Sequence, residues 1–163
     1  MTLLDVKDST KDVDFMCPDN KEYNYLTGIL KDLGYKPINA RRWKKENEAI
    51  VIDLYPGKNI HTTELLESPL KKGNHIHLRN IGRIYLGVLN YYDLISSKIF
   101  RGESVDFEDC LKLVQAKGKE IDKDLLVKRF HELASYDVSE ERIKGHLRSF
   151  LVRWEKEEGL NGK

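Results

Sequence analysis

Ser9-Thr10-Lys11-Asp12-Val13-Asp14-Phe15 is the stretch whose reading decides the fold. Its alternation of polar and apolar residues fits a β-strand, in which successive side chains point to opposite faces. Asp12 and Asp14 then share one face, and Val13 and Phe15 share the other, where they can join a core. Two carboxylates held side by side repel each other unless a proton or a cation sits between them. A divalent metal is the usual reason for such a pair. Mg²⁺ in particular is held by one or two carboxylates together with substrate phosphates. The plainer alternative is a strand with a solvated outer face, since the Asp-x-Asp spacing is short and common.

Working outward, the strand spans Lys11 to Cys17 and is entered by the polar turn Lys7-Asp8-Ser9-Thr10. Ahead of it, Met1, Leu3, Leu4 and Val6 read as the tail of an element that begins further upstream. Behind it, Pro18-Asp19-Asn20 starts a helix. Its stripe is Tyr23, Leu26, Ile29, Leu30 and Leu33, and Gly34 is placed to end it. A hairpin is expected next, with arms over 36–43 and 49–55 joined by the polar 44–48. In the second arm Ile50, Ile52 and Leu54 share one face, while Val51, Asp53 and Tyr55 share the other. Asp53 is therefore a carboxylate inside an apolar strand, which is costly without a partner or a metal. An edge position, with Asp53 meeting water, would also satisfy it.

A loop over 56–74, with a short helix around Thr63 to Leu66, leads to a second hairpin over 75–90 that turns at Asn80-Ile81-Gly82. His75 and His77 share a strand face there and read as half-exposed strand residues in preference to a metal pair. From Tyr91 the pattern is helical. Leu94, Ile95 and Ile99 form a stripe with Lys98 at its border, and Gly102 ends the helix. Asp106 is the expected N-cap of the next helix, with Val105 and Cys110 as a hydrophobic staple and Phe107, Cys110, Leu111 and Val114 inward. Two further helices are expected over 122–135 (Leu126, Phe130 and Leu133 inward) and 139–157 (Ile143, Leu147, Phe150, Leu151 and Trp154 inward), with a frayed tail from Glu158. Mixed strands and helices followed by helices alone argue an α+β fold, a small mixed sheet packed on helices and then a C-terminal helical bundle. The expected division is 1–90 for the α/β core, 91–157 for the helical region and 158–163 for the tail.

The 163 residues, 40% hydrophobic and 34% charged, exclude a disordered chain and allow one core with a helical appendage. A net charge of +1 excludes a general polyanion-binding field. The local basic run Arg41, Arg42, Lys44 and Lys45 around Trp43 reads as a solvated hairpin. Cys17 and Cys110 lack metal-site spacing and read as core thiols of a protein in a reducing compartment. No membrane-length apolar run or signal peptide is visible, so the expected location is cytoplasmic and no membrane partner is expected.

Two segments together carry a family resemblance. Ser-Thr-Lys-Asp-Val-Asp-Phe at 9–15 with Ile-Val-Ile-Asp-Leu at 50–54 resembles the nucleotidyltransferase superfamily with the DNA polymerase β-like fold. Tyr92-Asp93-Leu94-Ile95-Ser96-Ser97-Lys98-Ile99-Phe100-Arg101, continuing into Asp106-Phe107-Glu108-Asp109, is similar to the C-terminal signature of its minimal, abortive-infection AbiEii-type toxin branch. The resemblance implies Mg²⁺, one ion or two, on Asp12 and Asp14. It makes Asp53 the third carboxylate, helping to deprotonate the acceptor hydroxyl. Ser9 and Thr10 would lie at the nucleotide, Lys98 and Arg101 would face phosphates, and Asp106 and Asp109 would order that region. It further implies a nucleoside triphosphate as donor, an RNA or protein acceptor, and an antitoxin as partner. The family's Gly-Gly or Gly-Ser pair, shortly before the Asp-x-Asp, has no counterpart in this sequence. That departure favours, as the second expectation, a catalytically inactive homologue acting as an interaction protein. It would also leave a bare sheet edge that invites a homodimer. A metal nuclease ranks behind both, because only Tyr55-Pro56-Gly57-Lys58 follows Asp53 where a Glu-x-Lys would be needed.

Overall fold

The computed structural model describes residues 1–82 and 84–161. Strand β1 (Asp12–Cys17) leads into helix α1 (Asn20–Asp32), as the Pro-Asp-Asn start predicts. Asp19 caps the helix: its carboxylate accepts from the backbone N–H groups of Lys21 and Glu22, two donors that a first turn leaves free. Gly34 turns the chain away at φ 87°, a conformation that strains any residue with a Cβ. The stripe of α1 packs through Tyr23, Leu26 and Leu30 onto Cys17, Trp43, Ile52 and Leu54.

The hairpin expected over 36–55 is a three-strand meander instead. β2 (Lys36–Pro37) pairs antiparallel with β3 (Arg42–Lys44), which pairs antiparallel with β4 (Val51–Pro56). The first arm breaks at Asn39, whose side-chain oxygen accepts from the N–H groups of Arg41 and Arg42; this local turn competes with a continuous ladder. β4 then lies parallel to β1, giving the order β1-β4-β3-β2. An interior strand has no free edge, so water is not what satisfies Asp53. The register sets Asp14 opposite Asp53, Asp12 opposite Val51 and Phe15 opposite Leu54. Opposed residues share a face, so Asp12, Asp14 and Asp53 stand together on the side away from α1. Val13 is half-buried, but Phe15 is 37% exposed and does not join the core as expected, because β1 is an edge strand among the described residues.

No helix forms around Thr63 to Leu66. β5 (Asn59–Ile60) and β6 (Thr63–Glu64) pair as a short hairpin, which suits β-branched Thr63, and bury Ile60 and Leu65 against Tyr55. β7 (His75–Ile81) and β8 (Ile84–Leu89) form the second hairpin over its expected range, with Gly82 at φ 59° in the turn. Among the described residues this ribbon pairs with no other strand.

Four helices complete the chain: α2 (Tyr91–Arg101), α3 (Ser104–Lys117), α4 (Lys123–Ala134) and α5 (Glu140–Asn161). They bury one cluster that includes Ile95, Ile99, Leu113, Leu126, Phe130, Leu147 and Phe150, and Met1, Leu4 and Val6 pack against it from the other end of the sequence. The fold is thus α+β with a helical C-terminal half. Two helix ends differ from expectation. α3 begins at Ser104 with Val105 56% exposed, so no staple forms to Cys110. α5 continues through the expected frayed segment to Asn161, while 162–163 lie outside the described residues. Among the described residues no helix is long and apolar enough to cross a membrane. Cys17 and Cys110 are both free and buried.

Candidate active site

The three strand carboxylates form a gradient from floor to rim: the side chains of Asp53, Asp14 and Asp12 are 7%, 33% and 49% exposed. Asp53 is held by Arg42, its register partner on β3. Nε donates to Oδ1 at 2.9 Å and Nη2 to Oδ2 at 2.7 Å, a two-pronged pairing that fits the planar guanidinium to the carboxylate. The same Nη2 stands 4.0 Å from Asp12 Oδ2. Asp14 has no such partner. Burial, and then the charges of Asp12 and Asp53, push its carboxyl up to about 6. The Thr10 hydroxyl donates to the Asp12 carbonyl at 2.7 Å and lies 3.2 Å from Asp12 Oδ1, while Ser9 is exposed.

His61, at the tip of the β5–β6 hairpin, faces this group. Its backbone sits in the left-handed region at φ 51°, costly for a residue with a Cβ, and Arg41 Nη1 holds its carbonyl at 3.0 Å. Nδ1 is 2.8 Å from the Tyr55 hydroxyl and 3.4 Å from Arg101 Nη1, and Nε2 is 3.7 Å from Asp14 Oδ2. The arginine can only donate, so Nδ1 is the acceptor and Nε2 carries the proton toward Asp14. Burial, then the Arg101 charge, lower the imidazole to about 4, so it is neutral at pH 7. Burial followed by Asp14 and Asp53 pushes the Tyr55 phenol up to about 12, which keeps it a donor.

Beyond His61 lies a second charged layer. Lys98 and Arg101 sit one turn apart on α2, facing Asp106 and Asp109 one turn apart on α3. Lys98 Nζ donates to Asp106 at 3.1 Å and to Asp109 at 2.9 Å; Arg101 pairs with Asp106, and Lys7 stands 3.5 Å from Asp109. Asp106 is therefore not the N-cap of α3; that position is Glu103, which makes no side-chain cap. The cations expected to face phosphates are bound to acids, and Asp106, the acid expected to cap a helix, holds both of them.

Oxygen-only donors suit Mg²⁺, and Asp14 carries a repulsion that a cation would relieve. Asp12 and Asp14 offer free oxygens, whereas Asp53 gives both of its own to Arg42. Among the described residues no group of three His, Cys, Asp or Glu side chains is arranged to hold a metal ion. The donor chemistry fits Mg²⁺, and a third carboxylate becomes free for it only when Arg42 leaves Asp53.

The Asp14 repulsion has a measurable sign. Its folded value exceeds the ordinary 3.8, so the native state gains from protonated Asp14 at low pH and loses that gain as pH rises through about 6. The rise corresponds to about 3 kcal/mol at full strength, which solvent screening of a side chain one-third exposed reduces to about 1. Asp14→Asn should thus stabilise the protein by about 1 kcal/mol at pH 7 and by nothing near pH 4. Urea unfolding at the two pH values checks it; equal effects at both would place Asp14 in bulk-like solvent.

Sequence reasoning singled out the five aspartates, Lys98 and Arg101, and missed His61, Tyr55 and the role of Arg42. Arg42 was visible only as part of a basic run, because the register that sets it opposite Asp53 has no local signature. The chain matches no model of a known protein family and no curated protein sequence.

Proposed function

We propose that the chain is a Mg²⁺-dependent nucleotidyltransferase-type enzyme, passing a nucleotidyl group from a nucleoside triphosphate to a hydroxyl of an RNA or a protein. One observation carries the reading: Asp14 and Asp53 oppose each other on adjacent parallel strands, with Asp12 on the same face. Asp12, Asp14 and Asp53 would hold the Mg²⁺, which supplies charge neutralisation at phosphate oxygens. Arg42 fixes the orientation of the buried Asp53 carboxylate through two hydrogen bonds, and Asp53 would take the proton of the acceptor hydroxyl once Arg42 gives way. Neutral His61 orients Asp14 from above. Lys98 and Arg101, held by Asp106 and Asp109, would supply positive charge to the phosphates. In the toxin branch of this reading an antitoxin restrains the enzyme, and the edge of β1, unpaired among the described residues, would offer a second copy a place to pair.

The test is transfer of label. The protein is incubated with Mg²⁺, each α-labelled nucleoside triphosphate and total cellular RNA or protein. The reading expects label in one acceptor class, reduced at least about a hundredfold by Asp14→Ala, a loss of about 2.7 kcal/mol of transition-state stabilisation. No incorporation from any triphosphate would remove it. The second reading, a non-catalytic homologue that works by binding partners, draws on the pairing of Asp53 with Arg42 and of Lys98 and Arg101 with Asp106 and Asp109. It expects a folded protein that transfers nothing.

A further inference from the structure

Between Glu67 and Asp93 the chain has no Asp or Glu, although it holds 27 of them overall. The same interval carries Lys71, Lys72, Arg79 and Arg83, in a protein whose net charge is +1, so the rest of the chain is net negative. This acid-free interval forms the β7–β8 ribbon and its approach. Cross-strand pairing sorts the ribbon into two faces. His75, His77, Asn80 and Tyr85 stand on one, around Gly87; Ile76, Arg79, Leu86 and Val88 stand on the other.

The first face is an aromatic platform. His77 stacks on Tyr85 with ring centres 4.6 Å apart and planes 27° from parallel. His75 meets the same ring edge-on, its Nε2 2.7 Å from the Tyr85 hydroxyl. Gly87 is what lets the three rings close up: a Cβ there would stand 3.1 Å from the Ile76 carbonyl oxygen and 3.2 Å from His75 Cδ2. Tyr85 is nonetheless 51% exposed, and His77, Arg79 and Lys72 are exposed. The platform is fixed to the rest of the protein at its root. Leu89 packs against the Tyr55 cluster beside the strand carboxylates. Asn90 accepts from the Asp93 N–H at 2.8 Å and so caps α2, the helix of Lys98 and Arg101.

We infer that the β7–β8 ribbon is a docking arm for single-stranded RNA, with bases stacking on the His77–Tyr85 platform and phosphates reaching Lys72 at its approach and Arg79 around its edge. Exposed rings, with Lys72 before the ribbon and Arg79 on its other face, in an interval that has no acid of its own and whose Lys71 is paired with Glu67, suit single-stranded nucleic acid. The exposed tip, Ile81 and Ile84, would by itself fit a protein equally well; the charge selects the polyanion. RNA capture stands apart from the transfer chemistry, and where both hold it narrows the acceptor to RNA.

The probe is a labelled single-stranded RNA of mixed sequence, about 20 nucleotides long, followed by fluorescence anisotropy at low and moderate salt. The wild-type protein should bind it, more weakly as salt rises. Tyr85→Ala and Arg79→Glu, each shown to be folded by circular dichroism, should each weaken binding about tenfold, while Lys144→Ala, on α5, should bind as the wild type does. Arg79→Glu leaves the platform untouched, so it keeps the test sharp if Tyr85→Ala fails to fold. Absence of RNA binding by the wild-type protein would overturn the inference, as would unchanged binding by both ribbon variants. Equal or tighter binding of a single-stranded DNA of the same sequence would overturn the assignment to RNA. Self-association that is lost in Ile84→Lys, without RNA binding, would instead make the ribbon a protein-docking surface. Loss of transfer activity with RNA binding intact would count against the catalytic reading alone.

Discussion

Replacing Lys98 by methionine is expected to lower the free energy of unfolding by about 3–5 kcal/mol at pH 7. The Lys98 side chain is 14% exposed, and its partners Asp106 and Asp109 are 4% and 8% exposed. Methionine keeps much of the stem's volume and removes the ammonium, so the loss falls on two buried carboxylates left short of a cation. Arg101 and Lys7 remain beside them, at one oxygen each, and cannot replace a group that bridges both. Surface pairs such as Lys144 with Glu141, the latter 82% exposed, contribute no more than about 1 kcal/mol by comparison. The pH dependence follows from the two shifts. Burial pulls the Lys98 ammonium down, but bonds to Asp109 and Asp106 outweigh it and hold it above its usual value. Burial pushes Asp109 up, but Lys98 outweighs that and holds it below its usual value. The pair therefore contributes fully between the ordinary values of 3.8 and 10.5, fading as acid protonates Asp109 and as base discharges Lys98. Urea unfolding should show the penalty of Lys98→Met shrinking below about pH 4; a loss under about 1 kcal/mol at pH 7 would mean the layer is solvated.

Arg42→Ala should destabilise the metal-free protein by about 1–3 kcal/mol, because Asp53 is then buried without its two hydrogen bonds. That loss should be reversible with a divalent cation. Arg42 and Mg²⁺ compete for the same carboxylate, so its removal should tighten Mg²⁺ binding about tenfold, equal to about 1.4 kcal/mol. At a hundredfold excess over its dissociation constant Mg²⁺ would then add about 2.7 kcal/mol of stability to the variant. Thermal unfolding with and without Mg²⁺ reads both effects. A variant that is destabilised and indifferent to Mg²⁺ would show that Arg42 closes an inert pocket.

Much of the fold was legible because apolar spacing reports which face of an element is buried. The stripes of α2, α4 and α5 lie inward where periodicity sets them; that of α1 does so through Tyr23, Leu26 and Leu30, while Leu33 at its end is 55% exposed; and the alternation in β1 and β4 sets the faces of Asp12, Asp14 and Asp53. That these faces coincide depends on pairing register, which no local pattern encodes and which a slip of one residue would invert. The start of α3 was misread because an aspartate ahead of an apolar run looks like a cap whether it bonds the backbone or a distant lysine. His61 lies in a short hairpin without periodicity, and only the docking of β5–β6 near β1 gives it a role. Arg42 could be noticed as a charge but not as the partner of Asp53, since the turn at Asn39 that starts β3 at Arg42 is hidden in an apparently continuous arm.

The central claim is that carboxylates from two strands make one cation site, and calorimetric titration of Mg²⁺, alone and with each nucleoside triphosphate, tests it most directly. The account predicts saturable heat with the wild-type protein and none with Asp14→Ala at neutral pH. Absence of heat with the wild-type protein, or the same isotherm from both, would contradict it.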